Sequence, residues 1–167
     1  MIKRDKSIEL LNRAVNDELT AVHQYMYFHF RLDDMGYDLL SIYFKRTAIQ
    51  EMMHVERLAE RILFLKGEVE MQASHNVEKI HDVRQMLEKA EQMETQAIMD
   101  YNDFARQAAE ALDSATKKLF EDLILEEEAH QDQFDTETGN LETYGENYLA
   151  LQAIEHAKKA SANTLTT

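Results

Sequence analysis

The chain has 167 residues and a mass of 19.5 kDa, the size of one domain, and its 30% charged and 44% hydrophobic residues fit neither a disordered nor a membrane-embedded composition. It contains no cysteine, which excludes disulfides, iron–sulfur clusters, zinc ribbons and thiol catalysis, and no proline and only four glycines, too few turn formers for a β-sandwich or barrel. Its formal net charge of −14 repels phosphate backbones, so no nucleic-acid partner is expected; the acidic surface suits metal cations, although solubility alone accounts for it.

From the N-terminus, Met1-Ile2-Lys3-Arg4-Asp5-Lys6 leads into no apolar stretch, and the longest apolar runs, such as Ile62-Leu63-Phe64-Leu65, are four residues. Neither a signal peptide nor a membrane span is expected, and the cytoplasm is the default location. A first helix is predicted from Ser7 to Leu32, where Leu10, Leu11, Ala14, Leu19, Val22, Met26 and Phe30 recur near the helical period; Asp33-Asp34-Met35-Gly36 ends it. A second runs from about Asp38 to Lys66 and stops at Gly67, read as the residue just past its end. Residues 67–81 are polar and aperiodic, a connection. A third helix opens at Asp82, with Gln85 three residues on as in a capping box, and continues to about Ala109. The fourth starts near Asp113 or Ser114 and runs to about Thr138, before Gly139. A short fifth, about 146–159, precedes a flexible tail at 161–167 in a single domain spanning 1–160. The short links within each helix pair make two antiparallel hairpins, and the long connection carries the chain across, so an all-α four-helix bundle with a long crossover between helices two and three and a short C-terminal fifth helix is predicted.

Glu-x-x-His occurs three times, at Glu51/His54, Glu78/His81 and Glu127/His130, and about one match is expected by chance from this many glutamates and histidines. Glu78/His81 falls in the connection and reads as coincidence. The other two pairs are 76 residues apart, and the same shift carries Glu18 onto Glu94 and Tyr25 onto Tyr101. Each hairpin thus offers a Glu, a Tyr two turns later on the same face, and a Glu-x-x-His whose members face one side of a helix. Two helices with one Glu and two with Glu-x-x-His are the donor set of a di-iron carboxylate bundle. Carboxylates are hard donors suited to ferric iron, imidazoles also hold ferrous iron, and four carboxylates balance a diferrous pair. Without a cation, four glutamates inside a bundle would be costly. Tyr25 and Tyr101 read equally as packing or as hydrogen-bond donors to the ligands.

Over nearly the whole chain these residues resemble the bacterioferritins of the ferritin-like superfamily. The resemblance is carried by Asn16-Asp17-Glu18-Leu19, Gln24-Tyr25, Glu51-Met52-Met53-His54, the Glu60–Gly67 segment and Glu126-Glu127-Glu128-Ala129-His130. It implies that Glu18, Glu51 and His54 hold one iron and Glu94, Glu127 and His130 the other, with Glu51 and Glu127 bridging. It further implies ferrous-iron oxidation by dioxygen or peroxide, a ferric mineral inside a 24-subunit homo-oligomeric shell, and a ferredoxin-type reductant for iron release. Haem, one per two subunits, would be held between them by one methionine from each. Geometry alone puts both Met52 and Met53 on outward flanks of the second helix; the resemblance selects Met52. Members that carry an accessory iron site on the inner surface have His and Asp where this chain has Arg46 and Gln50, so that site is expected to be missing. His23, His29, His75 and His156 read as solvated or locally hydrogen-bonded. Tyr148, Leu149, Leu151 and Ile154 form an apolar stripe on the fifth helix, which in the family packs at a symmetry axis. Two other readings are a rubrerythrin-like peroxidase, disfavoured by the missing cysteines, and a dodecameric DNA-protecting mini-ferritin, disfavoured by the paired Glu-x-x-His and the negative charge.

Overall fold

The computed structural model describes residues 4–164, with side chains as far as Lys158. The described residues form α1 (Arg4–Asp34), α2 (Asp38–Phe64), α3 (Val83–Glu110), α4 (Ser114–Tyr144) and α5 (Glu146–Thr164), with no strand among them. α1 packs along α2 and α3 along α4, and the two hairpins join side by side into a bundle on which α5 rests. None of the helices is long and apolar enough to cross a membrane.

Helices α1, α2 and α3 end alike. The N–H groups of Tyr37 and Gly36 donate to the carbonyls of Leu32 and Asp33, those of Gly67 and Lys66 to Ile62 and Leu63, and those of Asp113 and Leu112 to Ala108 and Ala109. This paired bond needs one residue in the left-handed region. Gly36 takes it at φ +77°, but in the other two helices a side-chain-bearing residue does, Lys66 at +68° and Leu112 at +60°. The expectation that Gly67 ends α2 in that conformation is therefore corrected by one position. Gly67 is required for space instead: a Cβ there would lie 2.8–2.9 Å from the Ile8 side chain. At the helix starts, the Asp82 and Asp113 carboxylates accept the N–H groups of Gln85 and Thr116, as their spacing predicts.

α4 does not stop before Gly139. It runs on to Tyr144 and ends at Gly145, whose φ is +55°. A glycine inside a helix costs about 1 kcal/mol, and burial of Leu141 two residues further on outweighs it. α5 also exceeds its expected length. Of the tail expected at 161–167, the backbone of 161–164 continues α5 and residues 165–167 lie outside the described residues.

The crossover lies along α1, held by two amide clamps. Asn12 donates to the Glu68 carbonyl and accepts from the Glu70 N–H, and Gln24 does the same with Glu78, donating to its carbonyl and accepting from its N–H. Between them the Ser74 N–H donates to the Asn16 carbonyl. The core divides into two apolar clusters. One gathers Leu10, Leu11, Leu58, Ile62, Phe104 and Phe120, the other Phe28, Leu32, Leu40, Phe44, Leu87 and Phe134. Phe30, part of the apolar pattern predicted for the first helix, is 60% exposed; Phe28 and Leu32 carry the core stripe in its place.

Candidate metal centre

A polar layer separates the two apolar clusters. Glu18 of α1, Glu51 and His54 of α2, Glu94 of α3, and Glu127 and His130 of α4 are all buried there. One Glu comes from each of α1 and α3, and one Glu-x-x-His from each of α2 and α4, because three residues bring a side chain most of the way round a helical turn. The donor atoms form two overlapping groups, Glu18, Glu51, His54 and Glu127, and Glu51, Glu94, Glu127 and His130, each with its atoms within 4.8 Å of one another.

Glu51 and Glu127 belong to both groups and divide their oxygens between the histidines. His54 Nδ1 is 2.9 Å from Glu51 Oε2 and 3.0 Å from Glu127 Oε1, while His130 Nδ1 is 3.1 Å from Glu51 Oε1 and 3.2 Å from Glu127 Oε2. Glu18 lies only on the His54 side at 3.3 Å, and Glu94 only on the His130 side at 3.9 Å. Tyr25 and Tyr101 cross between the hairpins. The Tyr25 hydroxyl of α1 donates to Glu94 of α3, and the Tyr101 hydroxyl of α3 donates to Glu18 of α1. Both Glu51 oxygens, His54 Nδ1 and Glu127 Oε1 are buried without a hydrogen bond. Lone pairs so placed in an apolar interior call for a cation to accept them.

The electrostatics express the same demand. Burial raises the Glu18 and Glu94 carboxyls well above the ordinary range, and the charges of Glu127 and Glu51 raise them further. Burial opposes charge on the imidazoles too, but the surrounding carboxylates outweigh it, lifting His54 far above the usual range and His130 to about 10. Burial likewise opposes ionisation of Glu127, yet His130 and His54 hold it down at about 2. Burial, then the adjacent carboxylate, pushes both phenols well up, so Tyr25 and Tyr101 stay protonated and act as donors. Protons thus do part of the neutralising that two divalent cations would do.

A cavity of about 780 Å³ lies between α1, α3 and the crossover. Its walls include Glu18, Glu51, Glu94 and Glu127 together with Asp17, Asp100, Ser74 and His75.

Other residues singled out in the sequence lie elsewhere. Met52 and Met53 are 54% and 53% exposed on α2, so exposure does not separate them. Arg46 and Gln50 are exposed on the same helix. Glu78 pairs with Lys89 outside the centre and His81 is exposed, in keeping with a coincidental match. His29 bonds Ser41, His156 lies 2.6 Å from Asp38, the His75 N–H donates to Thr20, and His23 is exposed. Two residues near the centre escaped sequence reasoning. Glu126 Oε2 sits 3.0 Å from Nε2 of His54, and Arg57 donates to Glu126 at 2.5 Å. Glu126 was masked by its neighbours in the run Glu126-Glu127-Glu128. The repeat also reaches further than its polar members, since the same shift carries Phe28 onto Phe104 and Phe44 onto Phe120, four residues that are all buried.

The ferritin-like domain family matches residues 8–144 of this chain. A bacterioferritin of Desulfovibrio desulfuricans is 38% identical over 148 residues, covering 89% of this chain and 83% of its own. One from Rhodobacter capsulatus is 35% identical, covering 87% of this chain and 91% of its own. The chain belongs to the bacterioferritin family. An X-ray structure of the Desulfovibrio desulfuricans bacterioferritin, which shows that protein's diiron site in different catalytic states, superposes with a TM-score of 0.88 at 39% identity, covering 90% of this chain and 88% of that one. Bacterioferritins are thus similar to this chain in sequence and in fold over the same span that carries the six converging side chains.

Proposed function

We propose that the protein stores iron, oxidising ferrous ions at a dinuclear centre within each subunit and depositing ferric mineral inside a closed shell. The observation that carries this reading is the division of the Glu51 and Glu127 oxygens between two histidines, which suits a pair of cations held side by side with two bridging carboxylates. Glu18 and His54 complete one site, Glu94 and His130 the other, and Tyr101 and Tyr25 steady the two terminal carboxylates. Two ferrous ions bound together give up one electron each. That pair reduces dioxygen, with two protons, to hydrogen peroxide, or reduces peroxide, with two protons, to two waters. The protein supplies oxygen-rich ligands that favour the ferric product. Relatives named as bacterioferritins, one with a diiron site, support the assignment.

Ferrous iron added in air should be oxidised in a fast phase saturating near two irons per subunit. Glu127→Ala removes one donor from each site and should abolish that phase while the subunit still folds. A variant as fast as the parent would overturn the assignment.

The shell proposed is a 24-subunit homo-oligomer in the cytoplasm, emptied by a ferredoxin-type reductant, with haem between paired subunits. Met52 is the proposed haem ligand. An apolar thioether 54% exposed on a helix surface gains nothing from water, and two such sulfurs across a two-fold axis would give haem iron six-coordinate, low-spin ligation. Met52→Leu keeps the volume and should abolish haem binding with ferroxidase activity intact; loss of haem in Met53→Leu instead would reassign the ligand.

A further inference from the structure

The two halves of the centre are related by the 76-residue shift, so each residue around one histidine has a counterpart around the other. All six proposed ligands and both tyrosines obey it. The partners of the outward ring nitrogens do not. His54 Nε2 lies 3.0 Å from Glu126, whose other oxygen accepts from Arg57. The positions equivalent to Glu126 and Arg57 around His130 are Gln50 and Gln133. Both are exposed, and neither bonds His130; among the described residues its ring makes its close contacts through Nδ1 alone.

This difference has a direct consequence for metal binding. An imidazole that binds a cation through Nδ1 carries its proton on Nε2. When that N–H donates to a carboxylate, the tautomer is fixed, the ring is held in orientation and the ligating nitrogen becomes more basic; removing such a partner typically weakens metal affinity about 10–100-fold. Arg57, donating to Glu126 at 2.5 Å, holds that carboxylate aimed. An exposed ion pair of this kind contributes little by itself, so its effect is felt through His54. His54 is 1% exposed and His130 6%, in line with one ring held from both sides and the other from one.

We infer that the two iron positions are unequal, and that Glu126, oriented by Arg57, is a positioning residue that makes the His54 position the tighter one. The inference rests on the dinuclear reading of the centre. The His54 position then fills first and holds its ion, while the His130 position exchanges ions more readily.

The test is a titration of the metal-free assembled protein with Co²⁺, followed by calorimetry and by the visible bands of histidine-bound cobalt. The native protein should take up two ions per subunit in two steps whose dissociation constants differ by at least about tenfold. Glu126→Gln, a change at a residue whose side chain is 44% exposed, should weaken the tighter step about 10–100-fold and leave the other nearly unchanged. Gln50→Glu combined with Gln133→Arg, which rebuilds the missing pair around His130, should strengthen the weaker step and bring the two together. Unchanged constants in Glu126→Gln, equal weakening of both steps, or a native titration with two equal sites would each overturn the inference while leaving the dinuclear centre standing. Failure of the native protein to bind two histidine-ligated cobalt ions would overturn both.

Discussion

Tyr25 and Tyr101 each reach from one hairpin to a carboxylate of the other, Tyr25 to Glu94 and Tyr101 to Glu18. Each ring also belongs to a different apolar cluster, so the phenol bodies are packed while their hydroxyls face the polar layer. A buried carboxylate that loses its donor keeps the full cost of desolvation, about 1–3 kcal/mol. Tyr25→Phe and Tyr101→Phe should therefore each lower the stability of the metal-free protein by that amount, and by similar amounts because the environments are related by the repeat. For a chain of this length each kcal/mol shifts the melting temperature by roughly 2–4 °C, so calorimetry at neutral pH should show a clear downward shift for both. Unchanged melting would mean that the hydroxyls contribute nothing and that the rings act as packing alone.

The end of α2 is tied to the start of α4 by Arg61 and Asp113. Arg61 Nη2 donates to Asp113 at 2.6 Å and Nε to the Thr116 hydroxyl at 2.9 Å, while Asp113 caps α4. Burial raises the Asp113 carboxyl, but the Thr116 hydroxyl and N–H, Ser7 and Arg61 more than reverse this and hold it below its ordinary value. A depressed carboxylate stabilises the fold above the unfolded pKa, near 3.8, and that contribution is lost as pH falls through the folded value. Asp113→Ala should cost about 3 kcal/mol at pH 7, from the lost cap and the stranded guanidinium, and less as the pH approaches 2. A cost that does not change with pH would mean that the charge on Asp113 is irrelevant.

Much at this scale was legible from apolar spacing and polar caps. Asp82, Asp113 and the crossover fell where the sequence put them, because capping is a local bond between residues three apart. What was not legible depended on distant partners. Gly67 owes its identity to Ile8 pressing on it from another helix, and Gly139 remains helical because Leu141 finds a buried place beyond it. The six converging residues were found because a repeat betrays itself by its offset, whereas Glu126 and Arg57 break the repeat and become visible only when α2 and α4 are brought together.

At the scale of the whole molecule, the surface carries apolar side chains that a lone subunit gives no reason for. Leu151 and Ile154 of α5 are 63% and 50% exposed, while Tyr148 and Leu149 on the same helix pack against the second apolar cluster. Gln152 is buried and accepts the Leu40 N–H, so α5 is seated on the start of α2 with one apolar edge left outward. Removal of residues 146–167 should leave the bundle helical and able to bind metal but prevent closure of the shell. Light scattering would detect this as loss of the mass of the proposed 24-subunit shell; an intact shell would remove α5 from assembly.

In the proposed centre each subunit pairs two iron ions between Glu51 and Glu127. Crystals soaked anaerobically in ferrous iron, with diffraction collected on either side of the iron absorption edge, would locate the ions directly. Two anomalous peaks per subunit are expected, roughly 3.5–4 Å apart, one beside Nδ1 of His54 and the other beside Nδ1 of His130. A single peak, or peaks only at surface carboxylates, would contradict it.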